Sequence, residues 1–186
     1  MTLAKNGGFT LIESVIAIIV LGISMSVMMT LVFPRVENSA RSQYEVRASI
    51  LAQSIMSEML ARGFDHESDP NGSIMRCDEV SAAACTTTLG PDGSETYLTF
   101  NDVDDYIGCW HTGDSSDCTL SVRGTLNDIL GTDLSENYPN FRVEINVAYD
   151  LAIGPSDGLH RYKRIELTVV AGRYGELRFS SYRGNY

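Results

Sequence analysis

The spacing of hydrophobic and polar residues changes three times along this chain. From Ser14 to Phe33, 20 consecutive residues carry no charge, and the apolar stretch reaches back to Phe9 with Glu13 as its one ionisable residue. At about 1.5 Å of rise per residue, such a run crosses a hydrocarbon core of roughly 30 Å, which predicts a membrane-spanning helix. From Arg35 the spacing becomes that of an amphipathic helix. Tyr44, Ala48, Leu51, Ile55 and Met59 fall on one stripe, with Arg41, Glu45, Arg47 and Glu58 off it. Gly63 stands where a C-terminal stop is expected. Phe9 to Arg62 therefore reads as one helix of about 80 Å, with Pro34 as the place for a bend.

Past Phe64 the helical period is lost. Residues 64–140 are rich in loop formers and acidic, with 15 Asp and Glu against Arg76 and Arg123. A short strand is expected at Thr96–Phe100 and a small helix near Thr125–Leu130. The last third alternates: Phe141, Val143, Ile145, Val147 and Tyr149 in one strand, then Ile165, Leu167 and Val169 within Tyr162–Ala171, then Leu177 and Phe179 within Glu176–Tyr182. Gly154 to Gly158 and Gly172 to Gly175 supply the turns. Short connections favour an antiparallel meander whose apolar face covers the helix stripe. The fold class is α+β, a helical stem with a C-terminal antiparallel β-sheet head.

Composition narrows the function. The chain is 44% hydrophobic and 20% charged, which excludes global disorder. With 14 basic and 24 acidic residues the net charge is −10, opposed to general nucleic-acid binding. The four cysteines, Cys77, Cys85, Cys109 and Cys118, show no CxxC or paired Cys/His spacing, so an oxidising compartment is favoured over a metal centre. Three pairings are formally possible, and two local bridges are the economical choice because short loops cost little entropy to close.

Three kinds of N-terminal segment fit the apolar run. A cleaved secretory signal has a shorter apolar region and a clear small-residue cleavage site, which Ser24-Met25-Ser26 does not provide. A plain anchor fits the length. Neither accounts for Glu13, because a carboxylate at the edge of a span is costly unless neutralised or paired. The run Gly7-Gly8-Phe9-Thr10-Leu11-Ile12-Glu13, behind a short leader holding Lys5, resembles the start of type IV pilins and pseudopilins. That resemblance implies removal of residues 1–8 by a membrane prepilin peptidase, which cuts between Gly8 and Phe9 and methylates the new amine of Phe9. It also implies that Glu13 meets the N-terminal amine of a neighbouring subunit during filament assembly. Two ions each unfavourable in lipid become tolerable together, which sets a register between helices. The proline that the family often carries partway through the span is absent here, Gly22 being the weak point inside the run.

The implied organisation is a leader (1–8), a transmembrane assembly helix (9–34), an amphipathic helix packing on the head (35–63) and an acidic α+β head (64–186). Segments of the head, S-D-P-N-G at Ser68–Gly72, N-D-V-D-D-Y at Asn101–Tyr106 and the closing Y-R-G-N-Y, resemble minor pilins of the mannose-sensitive haemagglutinin type. The expected partners are other pilin subunits (major and minor), the prepilin peptidase, the inner-membrane assembly platform and membrane lipid. The expected location is the inner membrane with the head in the periplasm, then an extracellular filament. The alternatives are a minor pseudopilin of type II secretion and a membrane-anchored periplasmic binding module that never polymerises.

Other chemistry is sparse. His66, His111 and His160 are scattered, no G-x-S-x-G precedes a helix, and no catalytic residue, cofactor or metal is assigned. His111 beside Trp110 reads as part of a binding surface. His160, Arg161, Lys163 and Arg164 form the one basic cluster, expected as an exposed strand edge in preference to a DNA-binding patch. Glu67 to Gly72 followed by Asp78 resembles a calcium loop in spacing but departs from it at the first and last ligands, so a solvated turn is expected. Asn101 to Asp105 is likewise expected as an exposed acidic loop.

Overall fold

The computed structural model describes residues 10–68, 75–128 and 130–186, the side chains of 32–36 excepted. Its backbone divides into two compact units, Met1–Gln43 and Tyr44–Tyr186, and the helix α1 (Leu11–Leu60) supplies residues to both. In the first unit the helix carries a 21-residue apolar run, Leu11–Leu31, none of it buried. Ser24 Oγ donates to the carbonyl of Val20 at 2.7 Å and Thr30 Oγ1 to that of Val27 at 2.9 Å. These two hydroxyls are satisfied within the helix, as a segment without access to water requires.

In the second unit, the predicted stripe is the buried one. Ala48, Leu51, Ala52, Ile55 and Met59 of α1 are buried in the same cluster as the apolar positions of the sheet. Five strands form that sheet: β1 (Gly108–His111), β2 (Val122–Thr125), β3 (Phe141–Tyr149), β4 (Tyr162–Ala171) and β5 (Glu176–Gly184), in the order β2-β1-β3-β4-β5. The class is α+β, as expected, and β3, β4 and β5 form the expected meander. Val143 stands opposite Val169 and Ile145 opposite Leu167, so the alternating residues of β3 and β4 line one face. Leu177 and Phe179 of β5 extend that face, half-buried.

The sheet is mixed, however, where an antiparallel one was expected. β1 and β2 pair in parallel on the far side of β3. Neither strand alternates in sequence: β1 is buried at Gly108, Cys109 and Trp110 in succession, and β2 is largely exposed. The expected strand at Thr96–Phe100 is instead a helical turn, with the N–H groups of Thr99 and Phe100 both bonded to the carbonyl of Thr96. Thr99 Oγ1 accepts from the Thr96 N–H at 2.8 Å, a local bond that competes with any strand ladder. The expected helix near Thr125–Leu130 is replaced by a turn after β2. The Asp128 carboxylate there accepts the N–H groups of Leu130 and Thr132, and Asn127 bridges to Asp133.

Disulfides join Cys77 to Cys85 and Cys109 to Cys118. Asn185 fixes the first of these loops. Its Nδ2 donates to the carbonyls of Cys77 at 3.0 Å and His160 at 3.2 Å, while its backbone N–H bonds to Arg161. Beside α1, the rings of Tyr97, Phe100, Tyr106 and Trp110 pack at centroid distances of 5.1–6.1 Å. Glu58 secures them from the helix, accepting the hydroxyls of Tyr97 at 3.0 Å and Tyr106 at 2.9 Å.

Leu167 is fully buried at the centre of β4. Its replacement by alanine is expected to lower stability by about 2–5 kcal/mol, through lost transfer energy and the residual cavity. The midpoint of urea unfolding, followed by the fluorescence of the single tryptophan, Trp110, checks this.

Candidate processing and assembly site

α1 starts at Leu11, directly after Thr10, whose carbonyl accepts the N–H groups of Glu13 at 3.1 Å and Ser14 at 3.2 Å. Thr10 Oγ1 also faces the Glu13 N–H, at 3.4 Å. Threonine at the cap and glutamate three residues on is a capping-box order, a signal that sequence reading passed over. Glu13 thus sits in the first turn, where the partial positive charge of the helix end favours an anion. Its side chain is exposed and has no partner among the described residues. Gly8 and Phe9, the expected cleavage and methylation positions, lie outside the described residues.

The head holds its own ionic centre, which sequence reading did not find. Lys163 is 0% exposed, and its Nζ donates to the Phe64 carbonyl at 2.6 Å, to Asp65 Oδ2 at 3.0 Å and to Asp104 Oδ1. The rings of Phe64 and Tyr149 stand 4.8 and 5.1 Å from the same nitrogen. Asp65 also accepts the Tyr149 hydroxyl at 2.8 Å and the Thr86 N–H at 3.2 Å. Burial acts to raise its pKa, but the Lys163 charge and the Tyr149 hydroxyl outweigh burial and hold the carboxyl below the usual range.

The exposed strand edge expected for the basic cluster is therefore corrected. β4 is hydrogen-bonded on both sides, Lys163 lies on its buried face, and each other member of the cluster faces an acid: Asp157 for Arg161, Glu166 for Arg164 and Asp78 for His160. The exposed loop expected at Asn101–Asp105 is corrected too. Asp102, Asp104 and Asp105 are all buried, the last two in a short 3-10 turn, Asp104–Tyr106.

Of the calcium-like spacing, Asp69 to Gly72 lie outside the described residues. Asp78, its final acid, is already taken up by the Cys85 N–H at 2.8 Å and by His160 Nδ1 at 2.6 Å. Two groupings of potential metal ligands, Asp65/Cys77/Cys85 and Asp78/Cys85/His160, both rely on cysteine sulfurs that the Cys77–Cys85 disulfide removes. His111 bonds through Nδ1 to the Gly113 carbonyl at 2.8 Å, and His66 lies exposed beside Asp92.

Residues 3–29 match the family description "prokaryotic N-terminal methylation motif". No curated protein and no solved structure matches the chain. The motif and the exposed apolar helix that it opens support a prepilin of the type IV pilin or pseudopilin kind. Such a motif indicates a structural subunit, one that meets a prepilin peptidase and other filament subunits and is held in a membrane before assembly.

Asp102 gives the head a pH dependence of definite sign. Burial first, then its bond with Asp104 and the nearby negative charges, push its pKa up to about 8. Above the unfolded value of about 3.9 the folded state holds a proton that the unfolded state has released, so stability falls as pH rises until the folded group also ionises. Unfolding midpoints are expected to drop between about pH 4 and pH 8 and to level off above that. Asp102→Asn, which keeps the acceptor for the Asp104 N–H, should flatten that drop. An equal slope in the variant would locate the titration elsewhere.

Proposed function

We propose that this protein is a minor subunit of a type IV pilus of the mannose-sensitive haemagglutinin kind, acting in pilus assembly or priming and in surface adhesion. Residues 1–8 are the leader, 9–34 the assembly helix, 35–63 the helical support and 64–186 the head. Prepilin peptidase cuts after Gly8 and methylates Phe9. The observation that carries this reading is Glu13, a carboxylate without a partner among the described residues, at the start of an exposed apolar run inside a matched methylation motif.

The mechanism is electrostatic. In lipid, the Glu13 carboxylate and a cationic chain end each lack solvation, and contact between them relieves both. Because the amine belongs to a neighbour, the contact fixes one helix against the next along the filament. The inner-membrane platform supplies the subunits. The resemblance of the S-D-P-N-G, N-D-V-D-D-Y and Y-R-G-N-Y segments to minor pilins supports the finer assignment. The acidic head opposes a role in gripping nucleic acid.

In a host with the processing enzyme, intact mass and N-terminal analysis of the extracted protein should give N-methylated Phe9 as the first residue. A chain still beginning at its initiator methionine would overturn the reading. Glu13→Ala should be processed yet lost from filaments; normal incorporation of the variant removes the assembly role assigned to Glu13, whereas absence of the wild-type chain from filaments favours an anchored, non-polymerising module. Deletion that abolishes surface filaments supports a pilus, whereas blocked exoprotein secretion with filaments intact identifies a pseudopilin.

A further inference from the structure

Lys163 and Asp104 bring together the two halves of an amide. Lys163 Nζ donates directly to Asp104 Oδ1, and both residues are shut away from water, at 0% and 2% exposure. The rings of Phe64 and Tyr149 close the space around the nitrogen. In so dry a site the charged forms lose their solvation, and the neutral forms, an amine beside a carboxylic acid, gain ground on the ion pair. That neutral pair is the reactant of an amide condensation. Exclusion of water also protects the condensed product from hydrolysis.

The two acids on the nitrogen differ in what else they hold. Asp65, with Oδ2 3.0 Å from Nζ, also accepts the Glu67 N–H, the Thr86 N–H and hydroxyl, and the Tyr149 hydroxyl. So many donors favour its ionised form, which makes it a poor acyl donor and a good proton acceptor. Asp104 holds one further hydrogen bond among the described residues, from the Gly90 N–H at 3.0 Å. Beside it, Asp102 accepts the Asp104 N–H at 3.0 Å, and burial pushes the Asp102 pKa up to about 8, so an acid with a proton to share is adjacent. Asp105 is engaged elsewhere. Its Oδ2 accepts the N–H groups of Asn101 and Asp102, and its Oδ1 meets no donor among the described residues.

We propose that Lys163 and Asp104 join in an intramolecular isopeptide bond, with Asp65 as the proton relay. Nζ first passes one proton to the Asp104 carboxylate, leaving a neutral amine and a carboxylic acid. The amine lone pair attacks Asp104 Cγ and the Nζ–Cγ bond forms. Asp65 takes a proton from the nitrogen and hands it to the Asp104 hydroxyl, which leaves as water when its bond to Cγ breaks. Nothing is oxidised or reduced, and Asp65 ends as the carboxylate it began. One positive and one negative charge disappear together, so the net charge is unchanged. The bond ties β4 to the turn ahead of β1 across 59 residues, a closure separate from both disulfides. It does not rest on the filament reading.

The test takes the full chain extracted in detergent, boiled and reduced before mass analysis. The intact mass should fall short of that calculated for the observed N-terminus by one water. Trypsin should release a branched peptide joining residues 77–123 to 162–164, with the branch between Asp104 and Lys163. Lys163→Met and Asp104→Ala should each show the full calculated mass. Asp65→Asn should link about a hundredfold more slowly, read as the linked fraction against time after synthesis. The wild-type spectrum decides the main question whether or not these variants fold. A wild type at its full calculated mass overturns the proposal, and so does a branch at any other carboxyl. Linkage at the wild-type rate in Asp65→Asn overturns the relay.

Discussion

One buried ammonium organises the head. Lys163 enters from β4 and is met by a backbone carbonyl and two carboxylates, Asp65 from just beyond α1 and Asp104 from the short turn before β1. Removing an ion from water is expensive, and the expense is offset only when its partners are in place. The contact therefore makes the position of three separate stretches of chain mutually dependent. Around it the loops settle. Asp65 reaches on to Thr86 and Tyr149, and Asp104 Oδ2 accepts the N–H of Gly90 at 3.0 Å. A stretch with little regular structure gains definite geometry from charge and hydrogen bonds where it lacks an apolar stripe.

The same physics is handled differently in the two units. In the head, each buried acid finds a partner from its own chain or a proton, with Asp105 half-served. In the stem, Glu13 finds none among the described residues. An acid completed internally stabilises a fold. An acid left incomplete at the edge of an apolar helix is suited to recognition by a second molecule.

Much of this was legible in the sequence. The stripe from Ala48 to Met59 and the alternation from Phe141 to Tyr149 are produced by burial on one face, and burial is what periodicity records. β3 and β4 keep the bounds that the alternation gave them. At the candidate site, the apolar run of α1 could be read directly, and the Thr10 cap was available in the T-x-x-E order. β1 and β2 were not legible, because each is four residues long and lacks a clean two-residue alternation. The ionic centre was hidden by residue type. Lys163 shares parity with Ile165, Leu167 and Val169, so alternation alone puts it on the buried face, but a lysine beside two arginines reads as surface. Asp102, Asp104 and Asp105 were masked in the same way. Asp104 meets Lys163, 59 residues away in sequence, which no local window contains.

The Asn185 latch ties together residues far apart in the chain. One side-chain amide near the last residues holds a loop whose cysteine lies 108 positions earlier. The thiols of Cys77 and Cys85 thus emerge long before the group that will seat them. Their pairing is left to the proximity of two residues eight apart, a closure far quicker than the arrival of the rest of the polypeptide. The Cys77–Cys85 bridge thus needs no distant segment to bring its sulfurs together, whereas its seating against the head does.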